Sequence, residues 1–201
     1  MEDVKIRIIE ASIKLYVKHG IRAVTMNDIS QHCGISKRTL YEHVADKEQL
    51  LTICVQMMNA ESIRERNALK AQSSNVLEYF MLTAQHLADL SIRINPNFFR
   101  ELDKFHPKVA KIQEEYTQSI VLPDFIRLIQ KGVEEGVFID RPSITLSAML
   151  FFGQVQYLVH SDFVEKLGFS VHEVLQNALY TFSRGIASQK GLDIIEKMTP
   201  N

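Results

Sequence analysis

The chain has 201 residues, of which 46% are hydrophobic, with a formal net charge of −1 and two cysteines. That apolar content suits a buried core in one or two domains, and no apolar run is long enough to cross a membrane. Two cysteines are too few for a disulfide scaffold, and no cleavable signal pattern is evident. The chain is therefore expected in the cytoplasm, with Cys33 and Cys54 as core residues at apolar helical positions.

In chain order, the most informative segment runs from Thr25 to Lys47. Thr25 with Asp28 three residues on predicts a capping box at a helix start. The short helix that follows carries Ile29 and Cys33 on one face. Gly34 suits the left-handed residue that ends it, and Ser36 can cap the next helix. Two helices joined this tightly predict a helix-turn-helix, whose second helix is shaped to enter a major groove.

On a wheel of about 100° per residue, Leu40 and Val44 of that second helix face inward, and Arg38 with Glu42 lies opposite. Lys37 and Tyr41 occupy one flank, Thr39 and His43 the other. Central side chains then reach base edges while flanking donors meet the phosphate walls. Arg38 is expected to read a base edge, with Lys37 as a second reader. Thr25, Thr39, Tyr41, His43 and Lys47 are expected to hold phosphate. The plainer reading makes Arg38 and Glu42 a solvated i,i+4 pair, but the cation-first order is the weaker one for helix stability.

Beyond residue 50 the character changes: the first proline is Pro96, and all 11 phenylalanines lie past residue 79. Apolar spacing stays helical throughout. A helix is predicted from Asp46, capped with Gln49, through Leu50, Ile53, Cys54 and Met57 toward Lys70, with a turn at residues 71–74. Asn75 and Glu78 open the next, through Leu77, Met81, Ala84 and Ala88, until Asn95-Pro96-Asn97 breaks it. A short segment over Phe98–Phe105 precedes a helix from Pro107 to about Ile120. Another spans Leu122 to Glu135, with Pro123 tolerated in its first turn and Gly136 closing it. Two helices with wide apolar stripes follow: Ser143 to His160, and Val171 to Ser188 behind a Ser170–Glu173 capping box. The surplus apolar face suits a two-fold contact between copies, with Phe151, Val155, Leu175, Leu179 and Phe182 as the candidate seam. Burial of both helices inside one chain is the alternative.

Residues 1–50 hold eight Lys/Arg and seven Asp/Glu, so the N-terminal segment is only weakly basic. The local cluster of Lys37, Arg38 and Lys47 sets the field at a groove, while modest non-specific affinity calls for two half-sites engaged together. The seven histidines include no i,i+4 pair, and Glu114-Glu115 and Glu134-Glu135 diverge around their helices. No phosphate loop, nucleophile elbow or zinc signature is present, so neither an enzyme nor a cofactor or metal site is expected.

Taken together, Ile9, Ala11, Leu15, Tyr16 and Gly20, then Val24-Thr25-Met26, Ile29, Gly34-Ile35-Ser36-Lys37, Thr39-Leu40-Tyr41, His43, Asp46-Lys47-Glu48 and Leu50, resemble the DNA-binding domain of the TetR family of bacterial one-component repressors. Ser30, Cys33 and Val44 depart from that pattern, where two alanines and an aromatic residue are usual. The resemblance covers the first fifty or so residues and supports phosphate roles for Thr25, Tyr41 and Lys47. It implies an all-α fold: a three-helix helix-turn-helix domain over residues 1–50, with the motif at about 27–46, then a larger helical effector-binding and dimerisation domain over 51–201. It also implies pairing through the last long helices, to which the Glu134–Ser143 stretch is a similar connection.

The expected partners are a palindromic double-stranded operator, a second copy of the chain and a small hydrophobic effector, with no membrane. The aromatic and methionine loading of residues 75–160 offers Phe80, Met81, Phe99, Tyr116 and Tyr157 as walls, and Gln85, His86 and Gln154 as polar groups that orient a ligand. Two other readings stay open: a constitutive dimeric DNA-binding regulator without an effector, and a helical enzyme or binding protein with a vestigial helix-turn-helix. Intact Lys37, Thr39, Tyr41 and Lys47 argue against the last.

Overall fold

Side-chain caps at Thr25, Ser36, Asp46, Asn75, Ser170 and Ser188 fix where six of the helices begin. The computed structural model describes residues 2–140, 143–166 and 168–198, apart from the side chains of residues 2 and 165. Arg141 and Pro142 of the connection noted above lie outside the described residues. Among those described there are twelve α-helices and one isolated bridge, but no strand. The all-α class is thus observed. The helices are α1 (Glu2–His19), α2 (Met26–His32), α3 (Lys37–His43), α4 (Lys47–Gln72), α5 (Val76–Arg93), α6 (Asn97–Phe105) and α7 (Pro107–Tyr116). After a π turn at Thr117–Val121 come α8 (Leu122–Glu134), α9 (Ile144–His160), α10 (Phe163–Lys166), α11 (Val171–Ile186) and α12 (Gln189–Met198).

Contacts divide the chain into two compact units. The first joins Met1–Ile63 to Arg93–Tyr116. Its core packs Ile8, Tyr16 and Ile21 with Ile29, Leu40, Leu50 and Leu51, and adds Phe98, Leu102 and Val109 from α6 and α7. Cys54 lies in this core, where burial pushes its thiol up to about 12, and both cysteines are free thiols. They act as apolar side chains.

The second unit joins Arg64–Ile92 to the residues from Thr117 onward. Phe80 of α5 sits at its centre, with Phe125, Phe138 and Phe182 at ring-centroid distances of 6.2, 6.1 and 6.3 Å. Phe151 of α9 stacks on Phe182 of α11 at 4.2 Å and 13°. No helix among the described residues is long and apolar enough to cross a membrane.

Two boundaries and two helices differ from expectation. The helix from Pro107 stops at Tyr116, and residues 117–121 widen to π spacing before α8. Pro123 supplies a reason: it has no N–H for the Ser119 carbonyl and its ring crowds that carbonyl. The last long helix stops at Ile186, short of Ser188, because Ala187 turns extended and pairs with Phe138. Ile139 N–H reaches the Ile186 carbonyl at 2.8 Å, and Ser188 N–H the Val137 carbonyl at 3.0 Å. Finally, α10 and α12 were not expected; Ser188 Oγ caps α12 by accepting from Gly191 N–H at 3.1 Å.

Gly191 makes this junction possible. A Cβ there would sit 2.2 Å from the Val137 carbonyl oxygen, a backbone atom with no freedom to retreat. Gly191→Ala should therefore destabilise the protein by about 1–3 kcal/mol, measured by urea unfolding. An unchanged midpoint would show that the 137–191 contact is not tight.

Candidate nucleic-acid interface

The site is built from three helix starts. At the first, Thr25 Oγ1 accepts from Asp28 N–H at 3.2 Å, while Asp28 Oδ2 accepts from Thr25 N–H at 2.8 Å and from its hydroxyl at 2.6 Å. The expected capping box is present. The Thr25 hydroxyl and amide hold the Asp28 carboxyl below the usual aspartate range, helped by Lys47 and Lys37. The single hydroxyl proton of Thr25 is thus engaged by Asp28, and must turn outward to serve a phosphate.

Between α2 and α3 the chain reverses at Gly34, whose φ of +63° a glycine adopts without strain. Gly34 N–H donates to Gln31 and Ile35 N–H to Ser30, each at 3.0 Å, using carbonyls the helix end leaves unpaired. Ser36 Oγ then accepts from Thr39 N–H at 3.0 Å and opens α3.

Within α3, Leu40 is fully buried, and Val44 is buried just past the helix end on extended backbone. Lys37, Arg38, Tyr41 and Glu42 are exposed, and Thr39 and His43 are half-buried. Five of the seven expected contact residues therefore share one short helix. The Arg38 side chain is 90% exposed, and its Nε lies 3.3 Å from Glu42 Oε1. An exposed i,i+4 pair contributes about 0.3–0.5 kcal/mol, too little to withhold Arg38 from a base edge, where a bidentate contact contributes about 1–3 kcal/mol.

Lys47 sits differently. It is half-buried, and its Nζ donates to the Ile21 and Val24 carbonyls at 2.6 and 2.5 Å, 5.8 Å from the centre of the Tyr16 ring. Burial lowers its pKa, while Glu101 and Asp28 work in the opposite direction. Two of the three ammonium protons are used, leaving one for a phosphate.

The remaining expected residues scatter. Phe80 lies in the aromatic core; Met81 and Gln85 line a recess of about 200 Å³ with Ala84, Gln176, Leu179 and Tyr180. His86 pairs with Glu65 at 3.2 Å, and Gln154 and Tyr157 are exposed on α9. Phe99 and Tyr116 belong to the N-terminal unit. Of the candidate seam, Phe151 and Leu175 are buried within the protomer and Val155, Leu179 and Phe182 are half-buried. The exposed apolar side chains of α9 are instead Leu146, Met149, Leu150 and Tyr157. Their three- and four-residue spacing was a legible signal, masked by the phenylalanines between them. No three His, Cys, Asp or Glu side chains among the described residues are placed to hold a metal ion.

The pattern of the bacterial regulatory proteins of the tetR family matches residues 8–52, which span this whole construction. Over its length the chain is also 28% identical to an uncharacterised HTH-type transcriptional regulator of Bacillus subtilis (strain 168), YvaF, covering 93% of this chain and 97% of that one. Residues 8–52 thus carry the pattern of the TetR family's DNA-binding region. The relatives it matches along its length are transcriptional regulators, and that likeness supports a DNA-binding regulator rather than an enzyme. A second relative, the HTH-type transcriptional repressor KstR2 of Mycobacterium tuberculosis (strain H37Rv), is 22% identical over 72% of this chain and 73% of its own. A transcriptional regulator from Saccharomonospora viridis, solved in complex with choline, has the same fold, with a TM-score of 0.74 and 17% identity over 94% of this chain and all of that one.

Proposed function

We propose that this regulator is a cytoplasmic repressor that binds a palindromic operator as a homodimer and leaves it when a small apolar molecule binds. The division of labour would follow residue 50: DNA contact before it, effector binding and pairing after it. The observation that carries the DNA half is α3 itself, a helix rooted by Leu40 that turns Lys37, Arg38 and Tyr41 to solvent. Repression has support from the name of the KstR2 relative.

Pairing has support from the exposed stripe on α9. Leu150 is 67% and Tyr157 60% exposed, and Leu146 and Met149 continue the same face. Because Phe151 and Leu175 are used inside the protomer, and Val155 lies on the opposite side of α9 with Ala148 and Phe151, the proposed seam is this stripe. A two-fold dimer presents two α3 helices to successive major grooves, roughly 34–36 Å apart or a multiple of that.

For the effector, the recess between α5 and α11 narrows the candidates to Met81 and Gln85, joined by Gln176, Leu179 and Tyr180. The choline complex of the Saccharomonospora viridis regulator supports small-molecule binding by a protein of this fold. To release DNA, the molecule must bind the non-operator state more tightly, and α4, one of the three places where the chain crosses between the units, would carry the difference. The packing of Phe80, Phe125, Phe151 and Phe182 favours the second reading, a constitutive regulator. It leaves a recess of about 200 Å³, below the roughly 300–1,000 Å³ usual for ligand sites.

Two variants test the proposal on a duplex enriched by the wild-type protein from a random pool. Arg38→Ala should cost about 1–3 kcal/mol and relax preference at particular base pairs, whereas Lys47→Ala should weaken all sequences alike and flatten the salt dependence. Uniform weakening by Arg38→Ala would remove its base-reading role. Separately, Leu150→Glu should sediment as a monomer with much reduced affinity for that duplex. An unchanged dimer would place the seam elsewhere.

A further inference from the structure

The corner between α1 and α2, residues 20–24, has little regular structure of its own, and its direction aims everything that follows. Thr25, the cap of α2, comes next, and α3 is joined to α2 by the Gly34 turn. Two side chains of opposite charge hold this corner from different helices. From α4, Lys47 gives protons to the Ile21 and Val24 carbonyls. From α6, seventy-nine positions along the chain, Glu101 Oε2 accepts the Arg22 N–H at 2.9 Å. A carboxylate on a backbone amide is a charge-assisted bond, roughly twice as strong as a neutral one.

The fit is close. Gly20 has a φ of +85°, and a Cβ there would stand 3.1 Å from Glu101 Oε2, so both backbone angle and space call for glycine beneath this carboxylate. The residue that begins the approach to α6 adds to the hold. Asn95 N–H donates to the Val17 carbonyl at 2.7 Å and its Nδ2 to Lys18 at 3.5 Å, taking carbonyls in the last turn of α1. Arg22 in turn lays its guanidinium 4.6 Å from the centre of the Phe105 ring at the end of α6.

We infer that Glu101 is a positioning residue for operator binding: by taking the Arg22 amide opposite the Lys47 bracket, it sets the α1–α2 corner and thereby the aim of α3. Glu101 touches no DNA in this role. It acts through the corner, so its effect on affinity tracks the order of that corner. The inference rests on α3 being the element that reads DNA, but the corner's order is measurable without DNA.

The test compares the full-length protein with Glu101→Ala and Glu101→Gln. Amide hydrogen exchange reads the corner, and binding to the duplex enriched by the wild type reads its consequence. Glu101→Ala should speed exchange at Arg22 about tenfold and weaken binding about fivefold. Glu101→Gln keeps an oxygen to accept the same N–H but loses the charge, so both readouts should fall between the alanine variant and wild type. Unchanged exchange at Arg22 in Glu101→Ala overturns the inference whether or not the protein binds DNA. Faster exchange with wild-type affinity overturns it as well, as does a glutamine variant as impaired as the alanine one. If the wild type enriches no duplex, the DNA-reading role of α3 fails, and with it the consequence assigned to Glu101.

Discussion

A helix of seven residues does not stand alone in water. Nucleation costs more than so few hydrogen bonds return, and isolated helices shorter than about 12–15 residues are marginal. Both α2 and α3 have this length, so their existence depends on a few apolar anchors driven into a core that longer helices supply. In α3 the anchor is Leu40 alone, with Val44 just beyond the end; in α2 it is Met26 and Ile29. Fully burying one leucine contributes about 1.5–3 kcal/mol, and the caps at Thr25 and Ser36 each add about 1 kcal/mol. The rest of α3 is then free to face outward, which a groove-reading helix requires.

Charge explains why a protein of net charge −1 binds DNA. Fields at a groove depend on local placement, and the cations of α3 project from a helix whose only acid, Glu42, is loosely paired. Lys47 shows the opposite use of a cation. Half-buried and bonded to two carbonyls, it orders backbone, and any phosphate it meets is met by an ammonium already fixed in place. Specific affinity on so weakly basic a surface depends on the number of half-sites engaged at once.

Where sequence and structure agree, the signal is local. The boxes at Thr25–Asp28 and Ser170–Glu173, and the caps at Asp46 and Asn75, name their own partners within four residues, and all appear. The division of α3 into an anchored face and a polar face follows from the helical period in the same way. Long-range features were not legible. That Ala187 pairs with Phe138 and ends α11 depends on a residue forty-nine positions away. That α6 joins the N-terminal unit through Asn95 and Glu101 has no sequence signature beyond two polar residues. Aromatic loading does not distinguish a cavity wall from a filled core: Phe80 packs among three rings, while Tyr157, from the same expected wall, faces solvent. For the α9 helix, periodicity identified an apolar stripe but not which part of it the protomer uses.

The central claim is that a helical protein with a weakly basic N-terminal segment reads DNA sequence through α3, with a second copy supplying the other half-site. Repeated selection of the wild-type protein on a pool of random duplexes, with sequencing of the bound fraction, tests it directly. The account predicts enrichment of an inverted repeat whose half-site centres lie about one helical turn apart, or a multiple of it. Recovery of a bound fraction with no sequence in common, or of a single half-site without its repeat, would contradict it.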